Sequence, residues 1–175
     1  SAASSPSVVY AGKDQEGIDE AVHYPKHFEA AYPQTKAIAE QLVLSANDAS
    51  LATVSLRPHL IWGPGDPHLL PRLLARAKAG KLRQIGRASK LVDTIYVDNA
   101  ADAHLQAADR LTPGAPLAGR AYFLSQGEPV PLWNFINRLL QAGGAAPVTR
   151  SVPFAVAYAA GGVLEFVYRL TRRMD

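Results

Sequence analysis

Apolar positions along this chain recur with two periods, one near 3.6 and one near 2, and the changes between them mark out helices and strands. From Tyr32 to Ala46 the apolar residues Ile38 and Leu42 stand one turn apart, which predicts a helix with Pro33 tolerated in its first turn. From Leu69 to Ala79, Leu70, Leu73, Leu74 and Ala77 share one side and Gly80 supplies the stop, which predicts a second helix. Further helices are expected from Asp98, as the capping residue, through Asp109, from Leu132 to Ala142, and from Pro153 to Arg172. Short apolar runs at Val8-Val9-Tyr10, Leu51 to Leu56, Leu82 to Ile85, Leu91 to Val97 and Ala121 to Leu124 predict strands, the third and fourth set around a polar turn at Gly86 to Lys90. Residues 12–30 read as an irregular polar loop that opens with a Gly12-Lys13-Asp14 turn. Arg57-Pro58 leads into a loop at Trp62-Gly63-Pro64-Gly65-Asp66. Helices alternate with short strands, so the fold class is α/β.

A length of 175 residues is enough for one domain with a proper core. The apolar share of 48% and charged share of 19% belong to a globular chain rather than a disordered one. The net charge of +3 is modest and the basic residues are not striped with aromatics, so no nucleic-acid partner is expected. With no cysteine, disulfides, thiolate metal sites and a cysteine nucleophile are excluded, and a cytoplasmic location is compatible. His23, His27, His59, His68 and His104 form no His-x-x-x-His pair, so no metal is expected. The opening residues carry no basic segment followed by an apolar core. Val152 to Leu170 is largely apolar, but Glu165 and Arg169 interrupt it and Pro153 opens it. That pattern suits a helix covering an apolar pocket, or lying on a membrane surface, better than one spanning a bilayer.

The chemistry centres on Tyr32-Pro33-Gln34-Thr35-Lys36. Tyr and Lys four apart share one helix face, and an ammonium one turn from a phenol favours phenolate. An upstream hydroxyl, Ser5 or Ser4, could hold a carbonyl or alcohol against that phenol, an arrangement suited to hydride chemistry at a C–O centre. A lone Tyr-x-x-x-Lys is equally at home on a solvated helix face, and two serines near a turn need do no chemistry. The usual phosphate-binding part, Gly-x-x-Gly-x-x-Gly after a first strand, is absent from these residues.

The ordered series Ser-Ser-x-Ser-Val-Val, Tyr-Pro-Gln-Thr-Lys, Leu-Arg-Pro-x-x-x-Trp-Gly-Pro-Gly and Tyr-Val-Asp-Asn-Ala covers nearly the whole chain. It resembles the C-terminal half of an extended short-chain dehydrogenase/reductase, in the 3β-hydroxysteroid dehydrogenase branch. That branch includes sterol-4α-carboxylate 3-dehydrogenases and bacterial 2-alkyl-3-oxoalkanoate reductases. The resemblance implies Ser5, Tyr32 and Lys36 as the catalytic residues, with Ser4 as the fallback serine. It implies NAD or NADP as cofactor, held by Tyr32, Lys36, Pro58, His59 and Leu60, the last three in a loop passing the nicotinamide. It also implies a division at about residue 62. Residues 1–62 would end a Rossmann-type nucleotide-binding domain and carry the catalytic helix; 63–175 would be mainly a small α/β substrate-binding part, with 91–125 returning to the parallel sheet. The Gly-rich N-terminal half is missing, so the chain reads as part of a longer protein, unable by itself to hold a dinucleotide. The implied substrate is a large apolar secondary alcohol or ketone, a 3β-hydroxysteroid or a 2-alkyl-3-oxo acid. Homodimers are common in the family, and residues 153–172 are candidates for peripheral membrane contact.

Other readings compete. A nucleotide-sugar epimerase or dehydratase shares the same trio, and a non-catalytic nucleotide sensor or a structural half-domain lies in another class. Position by position, Asp98 reads as a helix cap, Trp133 and Phe135 as core, and Gly63-Pro64-Gly65 as a structural turn. The run from Phe154 to Tyr168 suits an apolar substrate pocket or plain core packing.

Overall fold

The computed structural model describes residues 1–86, 90–159 and 161–162. They fall into two compact units, one formed by residues 1–65 and 93–129, the other by residues 66–92 and those from 130 onward.

The first unit is built on a three-stranded parallel sheet in the order β1 (Ala2–Ala3), β2 (Val54–Pro58), β7 (Arg120–Leu124). Central β2 is buried from Val54 through Arg57, as expected of a parallel strand covered on both faces. Strand β3 (Leu60–Trp62) pairs in parallel with β6 (Thr94–Tyr96). Helix α1 (Ala31–Ser45) packs on β2, and α3 (Val97–Arg110) follows β6. The core of the unit is Val8, Val9 and Ala37, with Val22, Tyr24, Phe28 and Phe123 packed around them.

In the second unit α2 (Leu69–Lys78) packs on α4 (Leu132–Ala142). Gly143 allows this approach: a Cβ there would lie 2.6 Å from Leu74 Cδ2. Strand β4 (Gln84–Ile85) pairs in parallel with β9 (Ser151–Val152), and β5 (Leu91–Val92) pairs antiparallel with β8 (Val130–Pro131). Leu140 is fully buried, Phe135 is core and Trp133 is half-buried. Residues 154–159 and 161–162 are helical; the rest of the helix expected to Arg172, and most of the Gly86–Lys90 turn, lie outside the described residues. Among the described residues no helix is long and apolar enough to cross a membrane.

Four expectations change, each for a physical reason, and the buried face of α1, which the spacing left open, is settled. Val8-Val9-Tyr10 is not a strand: Pro6–Val9 forms a 3₁₀ turn, started by Pro6 and by the Ser5 side chain accepting from the Ser7 N–H. The valines reach the core from that turn instead. The strand expected from Leu51 begins at Val54, because Asp48 Oδ1 accepts from Ser50 N and Leu51 N and holds 48–51 in a turn. The strands near 82–85 and 91–97 do not pair with each other; β4 and β5 find partners far along the chain, and Asp93 separates β5 from β6. Ile38 and Leu42 are exposed at 50% and 64%, and the inward face of α1 is Ala37 and Glu40. Asp98 is not a cap: α3 begins at Val97 with Tyr96 as an extended N-cap that makes no side-chain bond. Asp98 sits inside the first turn, where it still complements the helix dipole.

The capping carboxylate is Asp66 instead, ahead of α2. It accepts from His68 N (2.9 Å), Leu69 N (3.0 Å) and Leu70 N (2.7 Å), and these bonds, led by that from Leu70, hold its carboxyl below the usual range. The preceding turn is set by Gly63, whose φ is +151° and whose absent Cβ would lie 2.5 Å from Val97 Cγ1. Asp66→Ala is expected to lower stability by about 1 kcal/mol, the typical worth of such a cap. Equilibrium denaturation reads this directly, and an unchanged midpoint would remove Asp66 from the capping role.

Candidate active site

Strand β1 ends at Ala3, and the chain then turns sharply to present its serines. Ser4 N donates to Leu56 O on β2 (2.7 Å), which ties the turn to the central strand. Ser5 is the N-cap of the 3₁₀ turn, with extended backbone (φ −155°, ψ 147°). Its Oγ accepts from Ser7 N (3.2 Å) and from Ser7 Oγ (2.9 Å), and its carbonyl accepts from Val8 N (3.2 Å). The Ser4 hydroxyl is buried and outside hydrogen-bonding geometry to any neighbour, though close enough to Glu40 to help hold that carboxylate ionised.

Tyr32 and Lys36 stand on α1 one turn apart, as the spacing predicts. Tyr32 is 58% exposed, so its phenol is open to an incoming group. Lys36 is half-buried, and its Nζ donates to Ala3 O at 3.2 Å. The structure thereby brings the ammonium to the end of β1, two residues ahead of Ser5. No hydrogen bond joins the Tyr32 phenol to Ser5 among the described residues.

What sets the height and rotation of α1 is a group the sequence reading did not single out. Glu40, one turn beyond Lys36, is 2% exposed and pairs with Arg57 of β2, Nη2 to Oε1 at 2.7 Å and Nε to both carboxylate oxygens at 3.1 Å. Tyr24 donates to Oε1 (2.6 Å) and Ser55 to Oε2 (2.8 Å). Arg57 also lies over two rings, 5.8 Å from the centre of Tyr24 and 5.1 Å from that of Phe123. Burial pushes the Glu40 carboxyl up, but the Arg57 guanidinium and the Tyr24, Ser4 and Ser55 hydroxyls outweigh it, and the value falls to about 2. Burial, followed by the bond to Glu40, pushes the Tyr24 phenol up to about 12. The signal available in the sequence was a carboxylate one turn beyond Lys36, with an arginine two residues after a serine in the next strand.

Pro58, His59 and Leu60 are not in a loop. Pro58 closes β2 beside Leu124, and Leu60 opens β3 beside Thr94. His59 N donates to Leu124 O (2.9 Å), so the chain stays extended while it changes partner from β7 to β6. The His59 ring lies 5.6 Å from that of Phe123, and burial pushes its imidazole below the ordinary value, with Asp93 partly opposing. His59 faces a cavity of about 500 Å³ whose walls include Ser7, Tyr10, Ile18, Asp93 and Phe123. Neither Tyr32 nor Lys36 lines it. Among the described residues no three His, Cys, Asp or Glu side chains cluster as a metal site would require.

Because Glu40 has a depressed folded value, it stabilises the fold above its ordinary value near 4.5, and that contribution is lost as pH falls toward about 2. Glu40→Gln should therefore flatten the difference in stability between pH 5 and pH 2 (roughly the span of the shift) relative to the parent chain. Glu40→Ala, which leaves Arg57 buried and unpaired, should cost about 3–5 kcal/mol at neutral pH. Denaturant unfolding across pH measures both, and a loss under about 1 kcal/mol would show that water reaches Arg57.

The model of the 3-beta hydroxysteroid dehydrogenase/isomerase family matches residues 3–154. A 2-alkyl-3-oxoalkanoate reductase of Shewanella oneidensis is 51% identical over 98% of this chain and 46% of its own length. A decarboxylating sterol-4-alpha-carboxylate 3-dehydrogenase of Mus musculus is 37% identical over 89% of this chain and 44% of its own. The chain thus spans about half the length of these curated relatives. Among solved structures, an epimerase from Methanothermobacter thermautotrophicus superposes with a TM-score of 0.69 at 18% identity, over 86% of this chain and 46% of the other. That likeness shows that the two share an α/β fold. With a serine turn, a Tyr–Lys helix and a family match over nearly all of its length, the chain belongs to the 3-beta hydroxysteroid dehydrogenase/isomerase family.

Proposed function

We propose that the protein to which these residues belong is an NAD(P)-dependent oxidoreductase. It acts on the secondary alcohol or ketone of a large apolar substrate, with a 2-alkyl-3-oxo acid favoured over a 3β-hydroxysteroid. The observation that carries this reading is the bond from Lys36 Nζ to Ala3 O, which sets the Tyr–Lys helix against the turn holding Ser5. The preference for the 3-oxo acid rests on the greater identity to the 2-alkyl-3-oxoalkanoate reductase than to the sterol dehydrogenase. The largely apolar walls that Tyr10, Ile18 and Phe123 give the His59 cavity support a lipid-like substrate.

In reduction Tyr32 donates its phenolic proton to the carbonyl oxygen while the Ser5 hydroxyl holds that oxygen in place. In oxidation Tyr32 as phenolate takes the hydroxyl proton, and Lys36 stabilises the phenolate. The nicotinamide, when bound, supplies or accepts the hydride. The residues present fit one end of that cofactor. Lys36 spends one of its three donors on Ala3 O and keeps two for ribose hydroxyls. Tyr32, Pro58, His59 and Leu60 would complete the contact. The Gly-x-x-Gly-x-x-Gly pattern that would cradle the phosphates occurs nowhere in these 175 residues. Homodimerisation and peripheral membrane contact through 153–172 go with this reading; within the described part of that segment Phe154, Val156 and Tyr158 are exposed.

Titration with NADH and NADPH, followed by fluorescence, should show saturable binding only when a Gly-rich nucleotide-binding half precedes these residues. Saturation by the 175-residue chain alone would place the phosphate grip elsewhere. In the longer protein Tyr32→Phe should lower turnover of a 2-alkyl-3-oxo acid by at least about 10²-fold, with dinucleotide affinity nearly unchanged. Near-normal turnover would overturn the mechanism, and activity on a nucleotide sugar in place of the oxo acid would favour an epimerase.

A further inference from the structure

The third serine of the Ser-Ser-x-Ser series has no role in the mechanism above, yet its side chain is the one bonded to Ser5. We infer that Ser7 is a positioning residue that makes Ser5 a hydrogen-bond donor to the substrate oxygen; this rests on the proposed role of Ser5. A serine hydroxyl has two acceptor sites and one donor. The Ser7 N–H takes one acceptor site of Ser5 Oγ at 3.2 Å, and the Ser7 hydroxyl, 2.9 Å away, is placed to fill the other. When the Ser7 hydroxyl donates to Ser5, the capacity left to Ser5 is its own O–H, which is then free to donate outward. A ketone oxygen has only lone pairs, so it is the partner such a group selects.

The backbone gives the pair little freedom to rearrange. Ser4 N is tied to Leu56 O, Ser5 O accepts from Val8 N, and Ser7 O accepts from Tyr10 N at 3.2 Å. Pro6, between the two serines, has a fixed φ and no N–H with which to compete for Ser5 Oγ. Ser7 is also among the residues that line the His59 cavity, whose walls do not include Ser5.

A serine that only caps the 3₁₀ turn would also bond to Ser5, so the test must separate positioning from folding. In the longer protein carrying the nucleotide-binding half, Ser7→Ala keeps the N–H and removes the hydroxyl. It should lower kcat on a 2-alkyl-3-oxo acid by about threefold to tenfold, the worth of one hydrogen bond, with KM and the melting temperature little changed. Ser7→Thr should restore most of kcat. In a Ser5→Ala background Ser7→Ala should have no further effect, because there is no hydroxyl left to orient. Turnover-free evidence comes from the dead-end complex of a carbonyl-¹³C-labelled 2-alkyl-3-oxo acid with oxidised dinucleotide. There Ser7→Ala should move the carbonyl stretch to higher wavenumber, and only when Ser5 is present. A full additive loss in the Ser5→Ala background, an unmoved carbonyl stretch, or a drop in melting temperature without a kcat effect would each overturn the inference. If Ser5→Ala itself keeps normal kcat, the failure lies with the mechanism proposed for Ser5, and the role of Ser7 falls with it.

Discussion

The ion pair between Glu40 and Arg57 is the constraint around which the first unit is arranged. A carboxylate and a guanidinium removed from water must satisfy each other, and a shift of α1 along β2 would leave both charges stranded. Tyr24 and Ser55 occupy remaining lone pairs of the carboxylate, and the faces of Tyr24 and Phe123 cover the guanidinium. Such a network adds little net stability over a well-packed apolar contact, but breaking it leaves a buried charge uncompensated, which is strongly unfavourable. Lys36 is one helical turn from Glu40 and Tyr32 is two, so a helix fixed at Glu40 carries the ammonium to Ala3 and leaves the phenol exposed.

The remaining groups of the site gather at the carboxyl ends of parallel strands, the usual location of ligands in open α/β sheets. Ser5 follows β1, His59 follows β2 and Ser125 follows β7. The last two line the cavity together with Ser7. Phe123 links the two layers of this arrangement, packing on the Arg57 guanidinium and on the His59 ring. The structural ion pair and the cavity wall are therefore connected through one aromatic side chain, and His59, whose imidazole burial pushes below its ordinary value, adds a polar group to that wall.

Much of the local architecture was legible. The extents of α2 and α4 follow from apolar periodicity and from glycine stops, which act over a few residues. The 3₁₀ turn at Pro6–Val9 carries two opposed local signals, a serine before a proline that favours a turn and a β-branched pair that favours a strand. In α1 the apolar spacing marks the helix but not its inward face: Ile38 and Leu42 are exposed and Glu40 is buried. Periodicity weighs side chains by average hydrophobicity and cannot know that a carboxylate has a partner 17 residues away.

By itself, then, the sequence determined the α/β class, the span of the main helices, and the placing of Tyr32 and Lys36 on one face. All of these follow from covalent geometry and from interactions within about one helical turn. Only the tertiary structure decided which face of α1 is buried, where Lys36 reaches, which strands pair, and that His59 is extended backbone facing a cavity. Those outcomes depend on desolvated charges and backbone groups finding partners far along the chain, a condition that no local pattern encodes.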